Sequence, residues 1–232
     1  MKNLLIASTS TIHGSGYLEY ILPELQSLFK DVTEIVFVPY ARPSGITYDE
    51  YTNIAKKSFA SSGIAVKGIH QFNSPVSAIK QAKGIFIGGG NTFELVSQLY
   101  RHKLITVIKE VVEKGTPYFG TSAGSNICGP TMQTTNDMPV SFPPSYTTFG
   151  FIDYNINPHY LDPEPNSTHK GETRETRIFE YHIFNNTPVL GIREGNWLRV
   201  IGEKIFLCGK LTTRLFQQKK KPIELPSGEL FN

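Results

Sequence analysis

Little in this chain points to a disulfide scaffold, a membrane or a polyanion. Its 232 residues include two cysteines, Cys128 and Cys208, and one tryptophan. Two thiols exclude a disulfide framework. No window approaches the roughly 18 apolar residues that would span a bilayer. The opening apolar run, residues 4–7, falls short of a secretory core of about 7–15 residues and reads better as a first strand. An excess of one charge is also missing: 23 Lys and Arg face 20 Asp and Glu, a formal net charge of +3. Most of that excess sits in Lys219-Lys220-Lys221, which reads as a solvated surface run and not as a nucleic-acid patch. No H-E-x-x-H, clustered Cys/His set or G-K-[ST] occurs, so no metal and no other cofactor is expected. Asn166-Ser167-Thr168 and Asn185-Asn186-Thr187 fit the glycosylation acceptor pattern but are silent without export. The expectation is a cytoplasmic protein with reduced thiols, and with neither nucleic acid nor membrane as partner.

What is present is material for a core. Apolar residues make up 39% and aromatics 12%, against 19% charged, which excludes disorder. Residues 3–7, 34–39, 64–69, 84–87 and 117–119 predict short buried strands. Residues 17–29, 48–61, 75–82, 92–101 and 104–114 have apolar positions at helical spacing, and a helix is expected from Ala123 onward. Strands alternating with helices through Gly-rich turns predict an α/β fold, an open and mostly parallel sheet with helices on both faces. The second half differs. Residues 131–148 read as loop, 149–156 as a strand, 172–184 as a helix, and 189–192, 197–201 and 204–207 as strands. The last two form a C-terminal hairpin through Gly202-Glu203. No repeat, linker or low-complexity tract appears, so residues 1–232 are expected to form a single domain.

In such sheets ligands collect at the carboxyl ends of the strands. The strongest signal there is Gly120-Thr121-Ser122-Ala123-Gly124, a G-x-S-x-G placed between a strand and a helix. A strand turning straight into a helix strains its central residue and thrusts the Ser122 hydroxyl out at the sheet edge. The amide of Ala123, at the helix start, faces the same space and can donate to an oxyanion. The bland alternative is a Gly/Ser-rich turn without chemistry. A serine nucleophile also needs a base. Of the six histidines, His70, His102 and His182 read as strand-end, solvated and filler residues, His169 carries no signal, and His13 and His159 follow strands at the correct edge. His159 is favoured, because Pro158 restricts its neighbours and pre-positions the ring. Gly88-Gly89-Gly90-Asn91 follows another strand. It fails the dinucleotide pattern at Phe93 and reads as a second oxyanion donor, with a plain tight turn as the alternative.

These residues resemble peptidase E, the family of α-aspartyl dipeptidases. The resemblance is carried by Gly88-Gly89-Gly90-Asn91-Thr92-Phe93, Thr121-Ser122-Ala123-Gly124, Thr134-Thr135-Asn136-Asp137-Met138-Pro139, Ile156-Asn157-Pro158-His159, Lys170-Gly171-Glu172-Thr173-Arg174-Glu175 and Glu194-Gly195-Asn196-Trp197. They run in one order from about residue 4 to 197. The resemblance implies a sheet like that of class I glutamine amidotransferases, flavodoxin-like, with serine where those enzymes place cysteine. It implies hydrolysis of Asp-Xaa dipeptides, with Ser122 as nucleophile and His159 as general base. For the third member it leaves two carboxylates open, Asp137, the one usually assigned in the family, and Glu194. The other would be structural or would engage the substrate's ammonium group. It implies Arg174 as the partner of the substrate β-carboxylate, with Asn91 and Thr135 as weaker polar contacts, and Gly90 with Ala123 as the oxyanion donors. A helix-surface charge is the alternative for Arg174. Two other functions fit the same residues less well: an α/β-hydrolase-type esterase, which usually has an upstream H-G-G segment, and a non-catalytic module binding small acidic metabolites. Oligomeric state is left open.

Overall fold

The computed structural model describes residues 1–164, 168 and 171–230. The acceptor site at Asn166-Ser167, His169 and the family-like Lys170 lie outside the described residues. In the first half the alternating pattern yields β1 (Asn3–Ala7), α1 (Leu22–Leu28), β2 (Glu34–Val38), α2 (Tyr48–Phe59), β3 (Ala65–Gly68), α3 (Pro75–Gln81), β4 (Ile85–Ile87), α4 (Thr92–Arg101), α5 (Leu104–Glu113), β5 (Tyr118–Thr121) and α6 (Ala123–Asn126). The strands are short, apolar and buried, as residues covered on both faces must be. After β1 the chain lays down β2 and β3 at one edge, then fills back with β4 and β5, all parallel. The strand that ends at Ser122 is thereby flanked by β1 and β4 in the middle of the sheet.

The second half contributes β6 (Asn155–Asn157), α7 (Arg174–Phe184), β7 (Val189–Ile192), β8 (Trp197–Ile201), β9 (Lys204–Cys208), β10 (Thr213–Phe216), β11 (Ile223–Leu225) and β12 (Gly228–Leu230). The expected hairpin is β8–β9. It pairs antiparallel with the free side of β1, and β12 pairs with β9, completing an eight-stranded sheet. Two cores cover its faces. Leu5, Phe37, Phe86 and Phe119 meet α1 and α2 through Leu25, Phe29, Tyr51 and Phe59. Leu4, Ile6, Ile85 and Tyr118 meet α4 and α5 on the other face.

Several expectations are corrected. Strands 149–156 and 189–192 do not join the main sheet. β6 and β7 form a second sheet with β10 and β11, in the order β11-β10-β7-β6, and Ile156, Leu190, Ile192 and Leu215 belong to the same core as the apolar residues of α4 and α5. Only Asn155 and Ile156 of the expected strand enter a ladder, in β6. Phe149 and Phe151 stack on each other and pack edge-on against Tyr118, so their apolarity serves burial and not a ladder. The helix expected over 17–29 starts only at Leu22, because Leu18 sits at φ 62° and a 3₁₀ turn, Glu19–Ile21, intervenes. The helix after Ser122 is a single turn. The helix expected from residue 172 begins at Arg174, since the Thr173 hydroxyl caps it by accepting the Thr176 N–H. Among the described residues no helix is long and apolar enough to cross a membrane.

Candidate active site

The turn after β5 is tight because two glycines allow it. A Cβ on Gly120 would stand 2.4 Å from the Gly124 carbonyl oxygen, and one on Gly124 2.2 Å from that of Ile87. Ser122 between them adopts φ 53°, ψ −109°, a region that costs a side-chain-bearing residue about 1–3 kcal/mol. The surroundings impose it. The Ser122 N–H donates to Ala7, the N–H groups of Ser125 and Asn126 donate to the Ser122 carbonyl, and the Ser125 hydroxyl ties down the carbonyls of Ala7 and Gly120.

His159 arrives from the second sheet. Its Nε2 lies 2.8 Å from Ser122 Oγ, and its Nδ1 lies 2.6 Å from Glu194 Oε1. An ionised carboxylate only accepts, so Nδ1 carries the proton and neutral Nε2 is left to accept from the serine hydroxyl. His159 is itself at φ 52°. Its N–H donates to Ser8 Oγ at 2.8 Å, the Ser8 hydroxyl donates to the Ile192 carbonyl at 2.7 Å, and Asn136 Nδ2 donates to the Pro158 carbonyl at 2.7 Å. Glu194 sits in the turn between β7 and β8. Buried Asn196 fixes that turn through its side chain to the backbone of Leu211.

The carboxylate left open by the sequence is therefore Glu194 at the imidazole. Asp137 stands elsewhere, at the start of α4, where its Oδ2 accepts the Thr92 N–H (2.7 Å), the Thr92 hydroxyl (2.6 Å) and the Thr135 hydroxyl (3.0 Å). Thr135 thus supports Asp137. Asn91 is used up locally: Oδ1 caps α4 on the Glu94 N–H, and Nδ2 donates to the Met138 carbonyl. Arg174 opens α7 and makes no hydrogen bond or ion pair among the described residues. Burial, and then Arg177, draw its pKa down, while Asp137 and Glu194 oppose that shift, so the guanidinium stands within electrostatic reach of both carboxylates. The helix-surface pairing considered for Arg174 belongs to its neighbours instead, Arg177 with Glu172 and Glu175 with Arg214. Arg174 and Arg177 line a cavity of about 480 Å³ with Asn136 and Asp162. Arg177 also borders a cavity of about 380 Å³ lined by Asp137, Thr135, Phe93 and Tyr146.

Gly90 is at φ 141°, and Ala41 O occupies the place a Cβ would take. The Tyr51 hydroxyl donates to the Gly89 carbonyl at 3.1 Å. In a trans peptide that fixes the Gly90 N–H to point the opposite way. A Cβ on Gly89 would lie 2.9 Å from Ser122 Cβ, so this glycine turn stands directly against the serine.

None of the other described histidines bonds to Ser122 or Glu194. His13 is exposed in the loop after β1, His70 pairs with Asp49, His102 stacks on Tyr40, and His182 is buried against the Asn185 carbonyl. Cys128 is buried, which pushes its thiol pKa up, and both cysteines are free.

Sequence reasoning missed Ser8, Asn136, Tyr51 and Arg193. Ser8 and Arg193 left a trace, as polar residues just past strands, and Asn136 another, inside a family-like segment, but none pointed to a role. Arg193, next to Glu194, donates through Nε and Nη2 to both oxygens of Asp162, through Nη1 and Nη2 to Glu224, and through Nη1 to Thr212. Its hydrogen bonds first, and then its charge, hold the Asp162 and Glu224 carboxyls below their ordinary range.

The family model described as peptidase family S51 matches residues 4–208. A Streptomyces coelicolor protein named peptidase E is 46% identical over 226 residues, covering 97% of this chain and 92% of its own. A Drosophila melanogaster protein named probable alpha-aspartyl dipeptidase is 45% identical over 219 residues, covering 93% of this chain and 90% of its own. The crystal structure of a putative peptidase E from Listeria monocytogenes superposes with a TM-score of 0.69 at 23% identity, over 90% of this chain and 99% of that one, a likeness of fold.

Proposed function

The chain belongs to peptidase family S51, and from that premise we propose that it is a serine dipeptidase removing an N-terminal aspartate from Asp-Xaa dipeptides. The observation that carries the mechanism is the relay from Ser122 Oγ through His159 to Glu194, at 2.8 and 2.6 Å. Ser122 attacks the scissile carbonyl and His159 Nε2 takes its proton. Glu194 keeps the imidazole in the accepting tautomer and stabilises its cation. The oxyanion lies between the N–H groups of Ala123 and Gly90, each such donor supplying about 2.7–4 kcal/mol to the transition state. The leaving amine departs with the proton from His159, and water then cleaves the aspartyl ester by the same route in reverse.

Two charges recognise the acyl residue. Arg174, half-buried and unpaired among the described residues, takes the β-carboxylate in the fork geometry arginine provides. Asp137 takes the α-ammonium. Its Oδ2 is held by Thr92 and Thr135, and Oδ1 is left for the substrate. The reading takes residues 1–232 as one peptidase domain, since hydroxyl and imidazole come from opposite halves of the chain. The free thiols support a cytoplasmic location.

The deciding experiment is a panel of Asp-Leu, Asn-Leu, Glu-Leu and N-acetyl-Asp-Leu with the unaltered protein, Ser122→Ala and Arg174→Ala. Asp-Leu alone is expected to turn over well, Ser122→Ala to lose the activity, and Arg174→Ala to lose the preference for Asp over Asn. Equal cleavage of Asp-Leu and N-acetyl-Asp-Leu would refute the dipeptidase assignment.

A further inference from the structure

Glu194, whose Oε1 holds His159, also lines a separate cavity of about 550 Å³ between the loop after β1 and the start of β8. Ile12, Tyr20, Trp197 and Leu211 give it apolar walls, and Lys210 stands at its rim. Tyr20 presents its ring, because its hydroxyl is spent on the Thr9 carbonyl and Trp197 packs edge-on against it. The Trp197 indole nitrogen is buried with no partner among the described residues. Lys210 is exposed and likewise makes no ion pair among them.

An Asp-Xaa dipeptide has two carboxylates. Arg174 accounts for the first. The second, on the leaving residue, is the group that distinguishes a dipeptide from any longer chain. His159 protonates the leaving nitrogen, so the leaving residue must lie beside the imidazole. The wall formed by Glu194 is one hydrogen bond beyond that ring, within reach of a residue spanning about 3.5 Å of backbone plus its side chain. Arg193, the cation next to Glu194, is saturated by Asp162, Glu224 and Thr212. We propose that this cavity receives the leaving residue of the substrate, its side chain against Ile12, Trp197 and Leu211 and its free carboxylate on Lys210. The inference rests on the dipeptidase reading and adds the specificity of the second position to it. It favours apolar leaving residues, which the walls bury, and a free acid over a blocked one.

The test compares kcat/KM for Asp-Leu, Asp-Leu-amide and Asp-Gly. The variants are Lys210→Met, Leu211→Trp and, as the competing cation, Arg42→Gln, whose guanidinium lies 4.8 Å from the ring centroid of Tyr51, the residue that holds the Gly89 carbonyl. Leu211 is 47% exposed, so both cavity variants should fold, which a thermal melt checks. The unaltered protein should prefer the acid to the amide, and Lys210→Met should cut that preference about fivefold, the scale of one exposed ion pair. Leu211→Trp should raise KM for Asp-Leu about tenfold more than for Asp-Gly, as a filled pocket does. An acid preference absent from the start, retained by Lys210→Met or removed by Arg42→Gln overturns the subsite, as does an equal effect of Leu211→Trp on both substrates. Failure of the unaltered protein to cleave Asp-Leu at all overturns the dipeptidase reading, and the subsite with it.

Discussion

The hydroxyl of Ser8 accepts the backbone N–H of His159 across 151 residues of sequence and donates to the Ile192 carbonyl, two residues before Glu194. One buried oxygen on the main sheet thus sets the height of the imidazole above the serine turn. Ser8→Ala strands the His159 N–H, while the Ile192 carbonyl keeps the Tyr160 N–H, at about 1–3 kcal/mol of stability. The imidazole loses its anchor, and kcat for Asp-Leu should fall about tenfold while KM changes little, since nothing that would bind substrate has been removed. Steady-state kinetics beside a urea melt check both effects.

Strain at Ser122 makes a second expectation. Ser122→Ala and Ser122→Gly should both be inactive, but only glycine relieves the backbone at φ 53°. The glycine variant should be the more stable of the pair by about 1 kcal/mol, after allowing for its greater freedom when unfolded. Calorimetry of the two variants decides it, and equal melting temperatures would mean that the turn holds no strain.

The two carboxylates should separate by kinetic signature. Glu194→Gln removes the acceptor that fixes the tautomer, and kcat should fall about a thousandfold or more with KM held. Asp137→Asn keeps the contacts to Thr92 and Thr135 but loses the charge, so its main effect should be a raised KM for substrates with a free amino group. The reverse pattern would exchange the two roles.

Arg193 predicts a pH dependence of stability. The folded-state pKa values of Asp162 and Glu224 are depressed, first of all by hydrogen bonds from Arg193. A depressed carboxyl contributes stability above its unfolded pKa of about 4 and loses it as pH falls through the lower folded value. Urea midpoints should therefore be flat from neutrality to about pH 5 and decline below that. In Arg193→Met the plateau should be lower and the acid decline shallower.

The parts of the site readable in the sequence are those built by adjacent residues. Gly120, Ser122 and Gly124 declare the sharp turn because the steric demand acts within five positions. β1 to β5 were legible because buried parallel strands are apolar on both faces. Glu194 and Asp137 were indistinguishable because the choice depends on the pairing of β6 with β7, which brings Asn157 level with Gly191 and so His159 beside Glu194. That register is non-local. The second sheet escaped notice because β6 and β11 have three residues each, too few for a period to emerge. Phe149 and Phe151 mimicked a strand because burial beneath Tyr118 selects the same side chains as a ladder does.

The guanidinium of Arg193 also bears on the order in which activity appears during synthesis. It joins the segment just after His159, at Asp162, to the turn holding Glu194, and it is tied down by Glu224 on β11. A nascent chain that has emerged only as far as β5 can form the serine turn but has neither base nor acid to act on it. The Arg193–Asp162 contact can close before residue 224 is made, and the Arg193–Glu224 contact only after it. The relay itself needs only residues 122, 159 and 194 together, and a serine turn made without the last two has no base beside it.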